Sequence, residues 1–520
     1  TGSVFFTAAN TYTGLATVNT GILRASNAAA LGSNATGTTV SSGAALELSG
    51  GITIGAEALT LWGNGVSSGG ALRNIAGDNT YQGAITLGAD TRINSDSGLL
   101  TLDVASGSAI TGTYNLTFGG VGNITVADAI ATSTGTLTKE GQGTLTLSGA
   151  NTYTGTTTIN AGNLTFGAND RISDSSAVTI SGGTLNLSTY NDTVGAFTIS
   201  SGALAGSGTL TGSSYALQGG TINATLGAGA ITVSSGTTTL GSAGRLNAAS
   251  TLTINSGNLT LGGAETMAAL SGSGGTLNVG SYTLTVNQTS DQTFSGDITG
   301  SGGVTKNGNG TLTLNGTNTY ASATVINAGT LNAASAGALG SNNTVQVNGG
   351  TLLVSANSSI NGMNITLNGT STTVPTLSFN SNYNGTIGTL TLSSNSIIDM
   401  GVAYNVGADF ADLVMGLTNT LKIYNWTGTT LWGGGTGADD DRIYFRNRNL
   451  SDSELGRISF YSDFGSGFLG TGFDLGLSNQ IIPVPEAQTW ITGILLVLGG
   501  GVWLWRKRSK KSVADSPRPG

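Results

Sequence analysis

One block of sequence occurs twice in this chain, and its internal alternation and spacing restrict the fold more than any other feature. The stretch GTLTKEGQGTLTLSGANTYTG over residues 135–155 returns as GVTKNGNGTLTLNGTNTY over residues 303–320. Each copy runs on into a matching tail, INAGNL at 159–164 and INAGTL at 326–331. Shorter echoes begin at Asn10 and Asn79, and AAALGSN at 28–34 matches AGALGSN at 336–342. Between these blocks a finer spacing persists. Gly143, Gly162, Gly183, Gly202, Gly220, Gly236, Gly257 and Gly275 recur at intervals of about twenty residues, all but Gly236 opening a Gly-x-Leu or Gly-x-Ile step. Within a step the pattern has period two, with Leu, Ile and Val on one face and Thr, Asn or Ser on the other. That is the signature of short strands joined by Gly-based turns, where glycine accepts positive φ without steric cost.

A twenty-residue unit of this kind cannot enclose its own apolar face. Successive units must stack and pair edge to edge, about 4.8 Å apart. The expected fold is therefore all-β, a right-handed parallel β-helix (β-solenoid) over residues 1–392. Leu145, Leu147, Leu185, Leu187, Leu312 and Leu314 are expected to point inward. A set of antiparallel sandwiches is the competing architecture, since it also shows short strands at regular spacing. Unbroken repetition and the presence of a single proline, Pro375, before residue 483 favour the solenoid. Outward Thr and Asn suit ladders in which like side chains of stacked coils hydrogen-bond one another.

Composition excludes whole chemistries. The 520 residues contain no His and no Cys, which removes imidazole relays, thiolate nucleophiles, disulfides and His- or Cys-based metal sites. No cofactor is expected. Charged residues make up 8% of the chain, against roughly 25% in an ordinary soluble protein. Six of the 18 Lys and Arg lie after residue 505, so residues 1–505 carry 12 basic against 25 acidic side chains. An acidic body of this kind disfavours nucleic acid as a partner.

Beyond about residue 392 the Gly-Thr-Leu pattern gives way to aromatic residues, among them Trp426, Tyr444, Phe445, Phe460 and Phe464. Residues 393–482 are expected to form an aromatic-rich β cap over the last coil, through strands at 421–426, 442–445 and 457–460. Residues 487–505 are uncharged, and their apolar part, 491–505, is followed at once by Arg506, Lys507 and Arg508. As a helix, 487–505 would span roughly 28 Å, close to the thickness of a bilayer's hydrocarbon core. The sequence thus predicts one C-terminal transmembrane helix, with the basic cluster as a membrane stop on the cytoplasmic side. Residues 512–520 read as a disordered tail.

Two family resemblances attach to these residues. Val484, Pro485 and Glu486, the apolar stretch and the basic cluster together resemble the PEP-CTERM sorting signal, placed here at 483–511, with Ala487 where that signal has a second Pro. Residues 137–155 resemble autotransporter-associated β-strand repeats. The resemblance implies export across a Gram-negative envelope, a transient inner-membrane stage and processing by an exosortase-type enzyme. It also implies residence at the outer surface or in the extracellular matrix, often alongside exopolysaccharide. Residues 393–482 are too few for an ordinary membrane β-barrel, so a different export route is indicated. No signal peptide is visible at residues 1–6, which begin inside a repeat, and a longer native chain is expected.

Parallel β-helices also host polysaccharide lyases and hydrolases, whose sites need two or three converging carboxylates or Ca²⁺-binding acids. Asp78, Asp90, Asp96, Asp103, Asp128, Asp170, Asp174 and Asp192 are scattered singly beside turn residues and read as turn or loop positions. The one acidic cluster, Asp439-Asp440-Asp441, reads either as a solvated loop or as a Ca²⁺ loop. No catalytic, cofactor or metal residue is assigned. Lys139 and Lys306 share one repeat position, which suggests a structural or solvated role for both. The functional expectation is a structural or adhesive exoprotein without catalytic activity, and the alternative is a polysaccharide-active β-helix enzyme.

Overall fold

The structure is a computed structural model that describes residues 2–341, 344–402, 405–427, 441–447, 450–464, 467–474, 480–484, 494–498 and 501–505. Its body is a right-handed parallel β-solenoid of about twenty turns with almost no helix. At about 4.8 Å per turn the rod is about 95 Å long. One coil shows how the sequence produces it. Leu137–Lys139 forms one strand, a Gly141 turn at φ +66° redirects the chain, and Thr144–Leu147 forms the next. A longer arc through Tyr153 returns the chain to Thr157–Ile159, which pairs in parallel with Leu137–Lys139. Asn163–Phe166 likewise lies on Thr144–Leu147, with Leu145 opposite Leu164 and Thr146 opposite Thr165. Because the partner is always about twenty residues away, like residues meet like residues. Aliphatic columns form inside and Thr or Asn columns outside.

Leu145, Leu147, Leu185, Leu187, Leu312 and Leu314 are all fully buried, as the alternation requires. A single continuous core runs from Val18 to Ile481. The outer face carries the ladders that period two predicts. Asn287, Asn307, Asn327, Asn348 and Asn368 stack on successive coils, each amide Nδ2 donating to the Oδ1 of the Asn before it, at 2.8 to 3.4 Å.

Three faces run along the rod. One carries strands from Ser3–Phe6 to Ile458–Tyr461, the second strands from Thr53–Ile54 to Asp297–Thr299, and the third begins with Ala16–Val18, Thr38–Val40, Leu59–Leu61 and Ile85–Leu87. The change of composition near residue 392 is not a change of architecture. Leu421–Tyr424, Arg442–Phe445 and Ile458–Tyr461 continue the parallel stacking on strands 396–399, 407–415 and 421–424. Pairing first becomes antiparallel at Phe468–Asp474 and Gln480–Val484, which close over the last coil. Here rings take over the interior. Phe410 stacks on Phe445 at 5.4 Å, and Trp426 meets Phe460 edge-on at 4.9 Å.

The expected transmembrane helix is not what the structure shows. Ile494–Leu498 and Gly501–Trp505 are strands paired antiparallel, with Leu498 opposite Gly501. Among the described residues no helix is long and apolar enough to cross a membrane. The physical reason lies in composition, since three consecutive glycines lower helix propensity at the centre of the stretch while Val and Trp favour strands. Length and hydropathy alone do not separate the two outcomes.

Candidate functional site

The residues that define the repeated block are the natural candidates for function, and the structure gives each a partner within the coil stack. Lys139 ends its strand with its side chain turned inward. Its Nζ donates to the carbonyls of Glu140, Gly141 and Ala161 at 2.7, 2.9 and 3.2 Å. Lys306 repeats the arrangement on Asn307, Gly308 and Ala328 at 2.7, 2.7 and 3.2 Å, and it is fully buried. Two of the three carbonyls belong to the lysine's own turn and the third to the next coil, so one ammonium ties two coils together. Burial lowers both lysines to about 8, which leaves them charged at neutral pH, the form that supplies three donors. Of the two roles open to these lysines from the sequence, structural and solvated, the structural one holds.

Asn151 and Asn318 bridge coils in both directions. Asn151 Oδ1 accepts from the Ile130 amide at 2.7 Å while its Nδ2 donates to the Arg171 carbonyl at 2.6 Å. Asn318 does the same between Ile298 and Ala338 at 2.6 and 2.5 Å. Two residues on, the hydroxyls of the buried Tyr153 and Tyr320 bond to Thr157 and Thr324 Oγ1 at 2.8 and 2.6 Å. Other coils place an acid or an amide in the role that Asn151 fills. Asn79 accepts from Ile52 N, Asp192 from Arg171 N and Ile172 N, and Glu265 from Arg245 N and Leu246 N. Asp192 corrects its sequence reading. It is a strand residue, 2% exposed, and one of its oxygens is buried without a hydrogen-bond partner. Burial, reinforced by the charges of Asp170 and Asp174, pushes its carboxyl up to about 7 against the pull of its two amide donors. The signal was present in the sequence as a shared dipeptide. Asn79-Thr80, Asn151-Thr152, Asp192-Thr193, Glu265-Thr266 and Asn318-Thr319 mark the same bridging role, taken by Asn79 and Asn318 on the second face and by the other three on the third.

The two block copies do not face the same side of the rod. The column that starts at Leu137 passes through Thr157, Val178, Phe197, Tyr215, Ile231, Leu252 and Leu270. It meets the second copy at strand 311–314, which is the counterpart of 144–147 and not of 137–139. The copies are therefore rotated by about a third of a turn. A block reused at different azimuths serves the stack itself, because its side chains do not line up into one lateral stripe.

The remaining acids mostly bind backbone or each other's neighbours. Asp78, Asp90 and Asp128 accept from the amides of Leu99, Asn115 and Val104, and Asp96 pairs with Arg73. Of the acidic cluster, Asp439 and Asp440 lie outside the described residues. Asp441 is fully buried, with its carboxylate accepting from Val406 N and from the Thr427 amide and hydroxyl at 2.7 to 3.0 Å. Among the described residues no group of three acids is placed to hold a metal ion. Val484 ends strand Gln480–Val484, opposite Thr471, whereas Pro485, Glu486, Arg506, Lys507 and Arg508 lie outside the described residues.

Two clefts open among the described residues. One of about 540 Å³ opens at the end of the first coil, lined by Val4, Phe6, Tyr12, Val18 and Leu23, and it has no carboxylate. A lateral groove of about 450 Å³ contains one, Asp399, beside Ser378, Asn425 and Phe464. Its oxygens accept from Ser378 Oγ, Gly401 N and Asn425 Nδ2 at 2.7 to 3.0 Å. Neither cleft offers the spaced carboxylate pair on which glycoside hydrolysis depends.

Three segments of the chain, residues 1–25, 137–166 and 304–333, match the family described as passenger-associated-transport-repeat. No curated protein and no solved structure matches the chain. The matched segments contain Lys139, Tyr153, Lys306 and Tyr320, the inter-coil clamps described above. The repeats and the solenoid fit a passenger-type surface protein and suggest export.

Proposed function

We propose that this chain is a non-catalytic structural and adhesive protein of the bacterial cell surface or extracellular matrix. The observation that carries the reading is the use of the repeat's polar residues. Lys139, Asn151, Tyr153 and their counterparts Lys306, Asn318 and Tyr320 bond to backbone or to neighbouring side chains inside the stack, and beyond the ion-paired row of Arg24, Glu47, Arg73 and Asp96 on the first coils the outside is largely repeating uncharged Thr and Asn columns. A rod of about 95 Å with such sides presents the same shallow chemistry many times over, which favours multivalent attachment over a single catalytic cleft.

For export we propose the three-part C-terminal signal: Val484, Pro485 and Glu486 read by an exosortase-type enzyme, an apolar stretch that engages the membrane, and Arg506, Lys507 and Arg508 as the stop. Exopolysaccharide is the proposed companion outside the cell. Since the chain has no Cys, one introduced Cys is a clean reporter of location. Thr146→Cys lies in an outward column and should react with a membrane-impermeant maleimide on intact cells. Labelling only after lysis would defeat the surface assignment. Glu486→Ala should accumulate unprocessed protein at the inner membrane. An unchanged mature mass at the surface would remove the sorting motif while leaving the adhesive reading in place.

A further inference from the structure

The third face of the first coils contains one departure from the ladder pattern, and it is built by two residues. The outward column there runs Thr17, Thr39, Thr60, Thr86 and Thr111, paired coil to coil. Two residues further along each of the first four strands stand Asn19, Ser41, Trp62 and Gly88. Later coils of the same face fill that second position with the Asn287 to Asn368 ladder. Trp62 replaces a ladder residue by the largest side chain available, and it stays 42% exposed. Gly88, directly above it, has no side chain. A Cβ there would lie 2.3 Å from the indole Cε2 and 2.7 Å from Cδ2 and Cζ2. The indole therefore lies flat over the Gly88 backbone with its other face outward. Breaking a local rule at one residue and accommodating the break at its neighbour marks a functional position.

We infer that Trp62, laid flat on Gly88 among the threonine hydroxyls, is a binding platform for a neutral polysaccharide chain. The C–H face of a pyranose ring packs on an exposed indole through apolar burial and through the attraction of its C–H bonds to the negative π face. Thr39, Thr60 and Thr86 place hydroxyls in the column alongside at one per coil, about 4.8 Å apart, in a row suited to an extended chain with repeating hydroxyls. Neither outward column contains a charged side chain, which matches a neutral glycan and gives no counter-ion to an acidic one. A protein partner is disfavoured, because among the described residues no other large apolar side chain between Leu15 and Tyr114 is exposed, and a protein interface needs a continuous apolar patch. This inference names the ligand class for the proposed adhesive function and rests on that reading only for its biological setting.

The test is affinity electrophoresis and calorimetry of the full chain with soluble hydroxyethyl cellulose and galactomannan, with alginate as the acidic comparison. Wild type should bind the neutral polymers and not alginate. Trp62→Ala should weaken binding at least tenfold, and Trp62→Tyr should stay within about threefold of wild type. Gly88→Val should lose binding comparably to Trp62→Ala while keeping the circular dichroism of the wild type, because it displaces the ring without removing it. Val121→Ala, exposed but outside both columns, should bind as wild type. Equal binding by Trp62→Ala, or no binding to either neutral polymer, overturns the inference. So does self-association in sedimentation that Trp62→Ala abolishes, which would make the platform a contact between copies. Surface labelling at Thr146→Cys is unaffected by any of these results, so failure here is distinct from failure of the surface assignment.

Discussion

Replacing Lys306 by Met keeps an unbranched stem of similar length and removes only the ammonium. Three carbonyl oxygens, of Asn307, Gly308 and Ala328, then lose a donor at 2.7 to 3.2 Å inside a site closed to water. A buried polar group left without its partner costs about 1–3 kcal/mol, and relief from burying the charge offsets part of the sum. The expected net loss is about 3 kcal/mol. In a solenoid each coil contacts its neighbours only, so the loss should be local. Hydrogen exchange followed by mass spectrometry should show protection falling by about a hundredfold in strands 303–307, 324–326 and 344–347, with strands 137–139 and 157–159 unchanged. Protection at 303–347 within threefold of wild type would refute the clamp. Equal loss along the whole rod would refute the local coupling.

Asp192 gives a pH prediction with a definite sign. An ordinary Asp loses its proton near 3.8, and in the folded chain the group holds it to about 7. Between those values the folded state binds the extra proton, so stability falls as pH rises through that window, and the full penalty is present above pH 7. Asp192→Asn should raise stability at pH 8 by on the order of 3 kcal/mol, with little change at pH 4, as read by urea denaturation. Asn318→Ala should cost about 2–4 kcal/mol, because the Ile298 amide and the Ala338 carbonyl are both left unpaired, whereas Tyr320→Phe should cost about 1 kcal/mol. Equal costs for these two variants would argue against the two-way bridge.

The fold was legible because strand alternation and coil length are both periodic, and two superposed periods leave few solutions. Leu145 and Leu312 had to be interior once their neighbours alternated, and Asn307 and Asn327 had to stack once the coil was about twenty residues. The clamps were only half legible. Lys139 and Lys306 were recognisable as equivalent, but whether an ammonium reaches solvent or folds back onto its own turn depends on where the carbonyls of Gly141 and Ala161 point, which no spacing reports. Asp192 was misread because a lone Asp near Asn and Tyr resembles a turn residue. Its place in the stack shows only when it is aligned with Asn151 and Asn318. Trp62 is not marked by any sequence pattern, since its significance lies in Gly88, a neighbour twenty-six positions away made adjacent by one coil. In the C-terminal stretch uncharged length predicts a helix, whereas 494–498 and 501–505 pair as strands, because length does not report the strand preference of Val and Trp.

The account depends most on continuous parallel stacking in the stated register, and a chain without Cys lets that be tested by crosslinking. Thr146 and Thr165 are outward partners on adjacent coils, as are Thr313 and Asn332. Neighbouring parallel strands about 4.8 Å apart fall inside the Cα separation that a disulfide accepts. Mild oxidation of the double variants Thr146→Cys/Thr165→Cys and Thr313→Cys/Asn332→Cys should therefore give near-complete intramolecular crosslinks. Absence of both, together with crosslinking of Thr136→Cys/Thr146→Cys, the outward pair that an antiparallel hairpin through residues 139–143 would oppose, would contradict the solenoid.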